Sequence, residues 1–371
     1  MDIRYSEDQL MIQQSARALL AARVTQAARQ TAENSDSGYD RALWKEMADL
    51  GWLAAAQGGT QSAATLGVLC EEMGRVALAS PFLPVSAALL MLTACEPSDG
   101  IRALSNAVAA GDAVIVPFTR VLKASRATDG VSLIGAEELV EWAPAANQLL
   151  IPIQLEEDGT IALAALDVRR IPSRPATLVD HHRAAFIEIH GVHCSEADIL
   201  TKAITPTAWS ACRDLMMLLA AAAAIGAADG ALTLTVDYTK ERKQFGRAIG
   251  SFQAIQHGLA DVKILAEGAW LAVWEGLSGY EHGVPVTGAA PLAAWLALRA
   301  LQEAAVVGTQ YHGGIGYIRD YPMQYFYRLA GASHARLGSQ WELLGGIADA
   351  YIDPLADQPL GLFNNLEPIT A

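Results

Sequence analysis

The sequence predicts an α+β protein in three parts: an N-terminal helical domain (1–111), a small middle β-barrel or sandwich (112–206) and a C-terminal four-helix bundle (207–355), followed by a tail (356–371). Three observations predict it. Apolar residues recur at helical spacing through the first hundred residues and again after residue 207. Between those stretches the apolar runs are short and separated by turn pairs such as Asp129-Gly130 and Asp158-Gly159. Ala-rich tracts such as Ala220 to Ala224 favour helix, where alanine costs least.

Each element follows from local chemistry. Ser6 and Gln9 form a capping-box pattern ahead of Ile12, Ala16, Leu19 and Leu20, which share one helical face. Asp40 caps a second helix carrying Leu43, Trp44, Met47 and Leu50, which Gly51 closes. A third helix covers 64–76 and a fourth 86–94. Strands are expected at 113–118, 149–155, 160–166 and 184–189. Beyond Thr207 come helices to Lys240, over 252–277 and over 291–307. A glycine-rich turn at 313–316 then precedes one short final helix. The tail after Pro354 is expected to be loose.

Composition narrows the function. The net charge of -14 argues against nucleic acid and against an anionic membrane surface, both of which demand a basic patch. The hydrophobic content of 52% suggests a large buried interface. Cys70, Cys95, Cys194 and Cys212 lack CxxC spacing, which excludes a finger-like zinc site and suggests reduced thiols in a cytoplasmic protein. The polar start, MDIRYSEDQL, does not read as a secretory signal. The apolar run 215–228 is too short to span a bilayer and reads as a core helix.

Two stretches carry chemistry. Tyr238-Thr-Lys-Glu-Arg-Lys-Gln-Phe-Gly246 continues into Ser251-Phe-Gln-Ala-Ile-Gln-His257, and Gln310-Tyr-His-Gly-Gly-Ile-Gly-Tyr317 is followed by Tyr321-Pro322 and Arg328. Both stretches resemble the YxxxRxxFG…FQxxQ and QxxGGxGY…YP…R segments of the acyl-CoA dehydrogenase family, in order and without gaps. The flavin dinucleotide that the resemblance implies presents a pyrophosphate, which calls for a guanidinium and for backbone N–H groups; Arg242 offers the first, and Gly313 and Gly314 permit the close approach needed for the second.

The resemblance implies FAD as cofactor, an acyl-CoA substrate and an electron-transfer flavoprotein as acceptor. It also implies that Arg242, Phe245, Gln253, Gln310, Gly313, Gly314 and Gly316 serve a flavin seated in a neighbouring subunit. Phe252 reads as core in preference to cofactor contact, and His257 and His312 as structural.

The same resemblance exposes departures. The family's catalytic glutamate, in a YEG(T/S) stretch, falls on Leu337; its alternative position falls on Met216, beside Met217 where the family has arginine. Glu342 and Asp214 are the remaining carboxylate candidates, with Glu141. The family's TEP…GS loop is not legible around Pro117-Phe118-Thr119-Arg120, and its W(I/V)(S/T) strand falls on Leu139, Val140 and Glu141. Residues serving a neighbour's flavin are kept and those serving the chain's own are lost. That pattern implies a non-catalytic or smaller subunit of a heterotetrameric acyl-CoA dehydrogenase acting in lipid β-oxidation, paired with a homologous subunit. A self-sufficient enzyme with an unusual carboxylate, and a non-enzymatic relative acting in assembly or ligand binding, stay open as alternatives. The acyl group is not specified.

Overall fold

The computed structural model describes residues 5–155 and 161–352. The tail (356–371) and the Asp158-Gly159 turn lie outside the described residues. Six helices come first: α1 (Glu7–Arg23), α2 (Gln26–Asn34), α3 (Arg41–Asp49), α4 (Ala63–Arg75), α5 (Phe82–Thr93) and α6 (Asp99–Ala109). Four of these match the sequence expectation in place. The Ser6–Gln9 capping box forms, and the Asp40 carboxylate accepts from the Ala42 and Leu43 N–H groups. Helix α2 buries no residue, so it has no apolar stripe to betray it.

Ten strands follow: β1 (Ile115–Pro117), β2 (Leu122–Ala127), β3 (Gly130–Ile134), β4 (Ala136–Glu141), β5 (Gln148–Leu155), β6 (Ile161–Asp167), β7 (Ser173–Thr177), β8 (Arg183–Ile189), β9 (His193–Cys194) and β10 (Ile199–Ile204). They form a seven-stranded sheet ordered β10-β6-β5-β2-β3-β9, with β1 added parallel to β5, and a three-stranded sheet ordered β4-β8-β7. The four strands expected from sequence are the apolar ones, β1, β5, β6 and β8. The others carry charged or polar residues on an outer face, which hides them from a search for apolar runs.

The C-terminal part holds α7 (Pro206–Glu241), a tight hairpin of β11 (Lys243–Gln244) and β12 (Arg247–Ala248), α8 (Gln253–Glu281), α9 (Ala289–His312), α10 (Met323–Leu337) and α11 (Gln340–Tyr351). The single final helix expected from sequence is therefore two. Gly338 at φ +102° breaks it, and Ser339 with Glu342 forms a new capping box. Helices α7 and α9 contain stretches long and apolar enough to cross a membrane, but 78% and 56% of those stretches are buried within the protein. Packing against neighbouring helices accounts for their apolarity.

Helix α7 lies almost backbone to backbone with α4. A Cβ at Gly74 would stand 1.9 Å from Ala223 O, and one at Gly226 1.9 Å from Glu71 O. A polar network then pins four helices at this crossing. Glu72, with its side chain 1% exposed, receives Arg17 at 2.6 Å and Arg75 at 3.3 Å. Glu71 receives the Tyr5 hydroxyl at 2.7 Å and the Trp270 indole N–H at 3.2 Å, and Arg75 also pairs with Asp229. Buried carboxylates persist when each has such partners.

Candidate functional site

One end of the bundle gathers the C-termini of α7 and α9 and the N-terminus of α8. Tyr238, near the end of α7, stacks on His312 at the end of α9, with ring centroids 4.3 Å apart. The Tyr311 hydroxyl donates to Ala254 O in the first turn of α8 at 3.1 Å. These contacts bring the two sequence motifs to one place. Arg242 caps α7, is exposed, and makes no ion pair with any described residue. Gln253 opens α8 and Gln310 lies in the last turn of α9, both exposed. Gly313 ends α9 at φ +63°, and both it and Gly314 have open space where a side chain would stand. Gly316 is instead buried, where a Cβ would meet Thr309 O at 3.0 Å.

This end has the chemistry of an anion and nucleotide site. No side chain caps the start of α8, and the N–H groups of Gln253 and Ala254 stay available. Phe245 is 91% exposed and holds the left-handed φ of +52°, a conformation that costs a phenylalanine free energy. Phe252 meets Phe245 edge-on at 6.1 Å and carries the Arg247 guanidinium 4.0 Å above its ring. It therefore belongs to the hairpin more than to the bundle core expected for it. His257 is exposed. His312 is buried, donates from Nδ1 to Gly308 O at 2.7 Å, and is pushed below its ordinary pKa by burial. These groups suit a pyrophosphate with an adjoining aromatic base.

A second feature lies where the β part meets α7 and α10. Leu337 is buried and lines an apolar cavity of about 110 Å³ with Met73, Phe82, Ala220 and Trp142. Met216 lies one turn before Ala220 and is not among the lining residues. Charged groups close one wall. Arg336 Nε donates to Glu141 at 2.8 and 3.0 Å, while Nη2 pairs with Asp180 and with His182 Nδ1 at 2.8 Å. Burial raises the Glu141 pKa, but Arg336 and His182 more than offset it and hold the carboxyl at about 2. Leu139 stands where the family strand has its indole, but an indole reaches this wall from three residues later. Trp142, at φ +63°, turns its fully buried ring into the cavity, 4.8 Å from His182.

The other carboxylate candidates sit elsewhere. Glu342 is exposed and accepts from Ser339 Oγ at 2.7 Å and Ser339 N at 2.8 Å; those hydrogen bonds lower its pKa. It is a helix cap. Asp214 is buried on α7, which pushes its carboxyl up, but it does not line the cavity beside Leu337. Of the three, only Glu141 reaches it. Sequence reasoning did not anticipate Arg336, Asp180 and His182, and their separation from Glu141 in the chain leaves no local signal.

A helical domain, two β sheets and a helical bundle with an exposed nucleotide-type site define the acyl-CoA dehydrogenase class. The family description "Acyl-CoA dehydrogenase, N-terminal domain" matches residues 6–95 and "Acyl-CoA dehydrogenase, C-terminal domain" matches 214–346, together more than half of the sequence. This chain belongs to the acyl-CoA dehydrogenase family, which is FAD-dependent. It is 29% identical over 346 residues to acyl-CoA dehydrogenase IpdE2 of Mycobacterium tuberculosis, covering 91% of this chain and 95% of that one. Among solved structures, it is similar to a variant of the Tcur3481-Tcur3483 steroid ACAD, with a TM-score of 0.84 and 27% identity over 94% of this chain and 99% of that one. A chain of the ChsE4-ChsE5 complex from Mycobacterium tuberculosis shares the fold, with a TM-score of 0.87 and 21% identity over 97% and 100%.

Against FAD, the two regions differ. The bundle end fits the adenosine-pyrophosphate half: a free guanidinium, uncapped helix N–H groups, two amides and an open glycine turn. The cleft beside Leu337 does not fit a flavin ring, because about 110 Å³ falls below the roughly 300 Å³ at which pockets begin to hold ligands of such size.

Proposed function

We propose that this chain is one subunit of a two-chain, FAD-dependent acyl-CoA dehydrogenase and completes the flavin site of a homologous catalytic partner. The observation that carries the reading is the exposure, at one end of the bundle, of Arg242, Phe245, Gln253, Gln310, Gly313 and Gly314, with Arg242 unpaired among the described residues. Such groups await a ligand held by another molecule. An apolar stripe on the same bundle, with Ile264 and Leu271 of α8 and Val306 of α9 exposed, supports a partner packed alongside. The 27%-identical neighbour, whose name pairs two designations, supports the same arrangement.

The reaction proposed is removal of two hydrogens from the α and β carbons of a CoA thioester. FAD, when bound, accepts the hydride. Arg242 neutralises pyrophosphate charge, the α8 N-terminus and the 313–314 turn donate backbone hydrogen bonds, and Gln253 and Gln310 orient polar oxygens. Phe245 covers the adenine side. The α-proton goes to a carboxylate supplied by the partner, since Leu337 and Met216 cannot accept one. We further propose an electron-transfer flavoprotein as the reoxidant.

The test is Arg242→Ala in this chain, co-expressed with a homologous partner. A lost charge-assisted hydrogen bond of about 1.5–3 kcal/mol predicts roughly a ten- to hundredfold loss of FAD affinity with assembly intact. Unchanged affinity in an intact complex would refute the reading.

A further inference from the structure

The loop between β11 and β12 has two residues, Phe245 and Gly246, and both hold positive φ, at +52° and +80°. A hairpin turn of this kind suits asparagine followed by glycine. Glycine fills the second place here, but the first holds a phenylalanine, whose Cβ crowds the backbone in that conformation. Burial does not offset the strain, because Phe245 is 91% exposed. A large apolar ring therefore stands where folding alone favours a small polar side chain.

Two neighbours fix that ring. Phe252, the residue that opens α8, meets it at an interplanar angle of 89°, with centroids 6.1 Å apart. The Arg247 guanidinium lies 4.0 Å above the Phe252 ring. Arg247 faces Gln244 across the hairpin and directly follows the turn, so one side chain links the turn to the helix start. Ile249 N donates to Arg242 O at 2.8 Å and closes the base of the same hairpin. The aromatic ring, the free guanidinium of Arg242 and the open N–H groups of α8 thus share one frame.

We propose that Arg247 and Phe252 are positioning residues: Arg247, acting through Phe252, holds the strained Phe245 ring out as a platform for the adenine of a dinucleotide. This role rests on the nucleotide reading of the bundle end given under the proposed function. Arg247 contributes through the ring it covers and not through the phosphates, which fall to Arg242.

Calorimetric titration of the flavin-free two-chain complex with ADP, and separately with inorganic pyrophosphate, tells a positioning role from a charge. Loss of an aromatic platform costs roughly five- to hundredfold in affinity for a base. Arg247→Ala is expected to weaken ADP by about fivefold or more and to leave pyrophosphate within about twofold. Arg247→Lys, which keeps a cation for the ring, should recover most of the ADP affinity. Phe245→Asn should weaken ADP in the same way while its urea midpoint stays level or rises, since asparagine suits the turn. Equal losses of ADP and pyrophosphate in Arg247→Ala would make Arg247 a phosphate contact and overturn the positioning role. A lower urea midpoint in Phe245→Asn would show that the ring serves folding, and would also overturn it. Losses of both ligands in Arg242→Ala with neither lost in Arg247→Ala would overturn the positioning role and leave the proposed function standing. A wild-type complex that binds neither ligand would overturn both.

Discussion

Replacing Arg336 with methionine removes the guanidinium that joins Glu141 and Asp180 in the cavity wall. Glu141 and Asp180, the latter with its side chain 4% exposed, would then face each other and His182 inside an apolar setting. Two routes give the cost. Breaking a buried pair by deleting one partner costs about 3–5 kcal/mol. The Glu141 carboxyl, held at about 2 against an ordinary 4.5 by Arg336 and His182 together, corresponds to roughly 3.5 kcal/mol at about 1.4 kcal/mol per pH unit. The routes agree. Urea unfolding followed by tryptophan fluorescence reads the loss, because Trp142 lies in the same wall. Adding Glu141→Gln to Arg336→Met should return part of it, since one of the stranded charges is gone. A loss below about 1 kcal/mol for Arg336→Met would show that the bridge is solvated and that the wall does not depend on it.

Glu141 also predicts a pH dependence. Its folded carboxyl is depressed, so its contribution is fully present above the ordinary value near 4.5 and is lost as pH falls towards about 2. Stability measured across that window should fall less steeply in Glu141→Gln than in the wild type. Gly226→Ala should cost about 1–3 kcal/mol in urea unfolding, because its Cβ would stand 1.9 Å from Glu71 O, whereas Gly345→Ala, with open space on α11, should be neutral or stabilising. The four cysteines are buried, which pushes Cys70 and Cys95 up to about 12 and Cys194 and Cys212 up to about 11. A thiol-reactive chromogen at about pH 8 should find none of them within minutes in the native protein and all four in urea.

Much of the architecture was legible because burial writes a period into the sequence. Leu43, Trp44 and Met47 mark α3 by their spacing, and Asp40 marks its start. Helix α2 was invisible for the opposite reason, since its residues bury nothing. Strand β4, with Glu137, Glu138 and Glu141, is passed over by a search for apolar alternation and was placed only through the family resemblance, at Leu139, Val140 and Glu141. The break between α10 and α11 was written plainly in Gly338-Ser339 and Glu342, yet the same residues read as a catalytic stretch drew attention away from their capping role.

At the site, the motifs around Arg242 and Gly313 could be placed together because each lies at a helix end. The cleft could not be read. Trp142 reaches it through a left-handed backbone conformation that the sequence does not announce, and Arg336 meets Glu141 across 195 positions of chain. Glu141 was recognisable as a departure from the family strand, but the cation that neutralises it was not.

The central claim is that this chain lends half of a flavin site and keeps none for itself. The flavin content of the purified complex with its homologous partner tests it most directly, by flavin absorbance against protein concentration. The account predicts one FAD per pair of chains, falling towards none when Arg242→Ala is introduced in this chain alone. Two FAD per pair, or a yellow and active homo-oligomer of this chain without a partner, would contradict it.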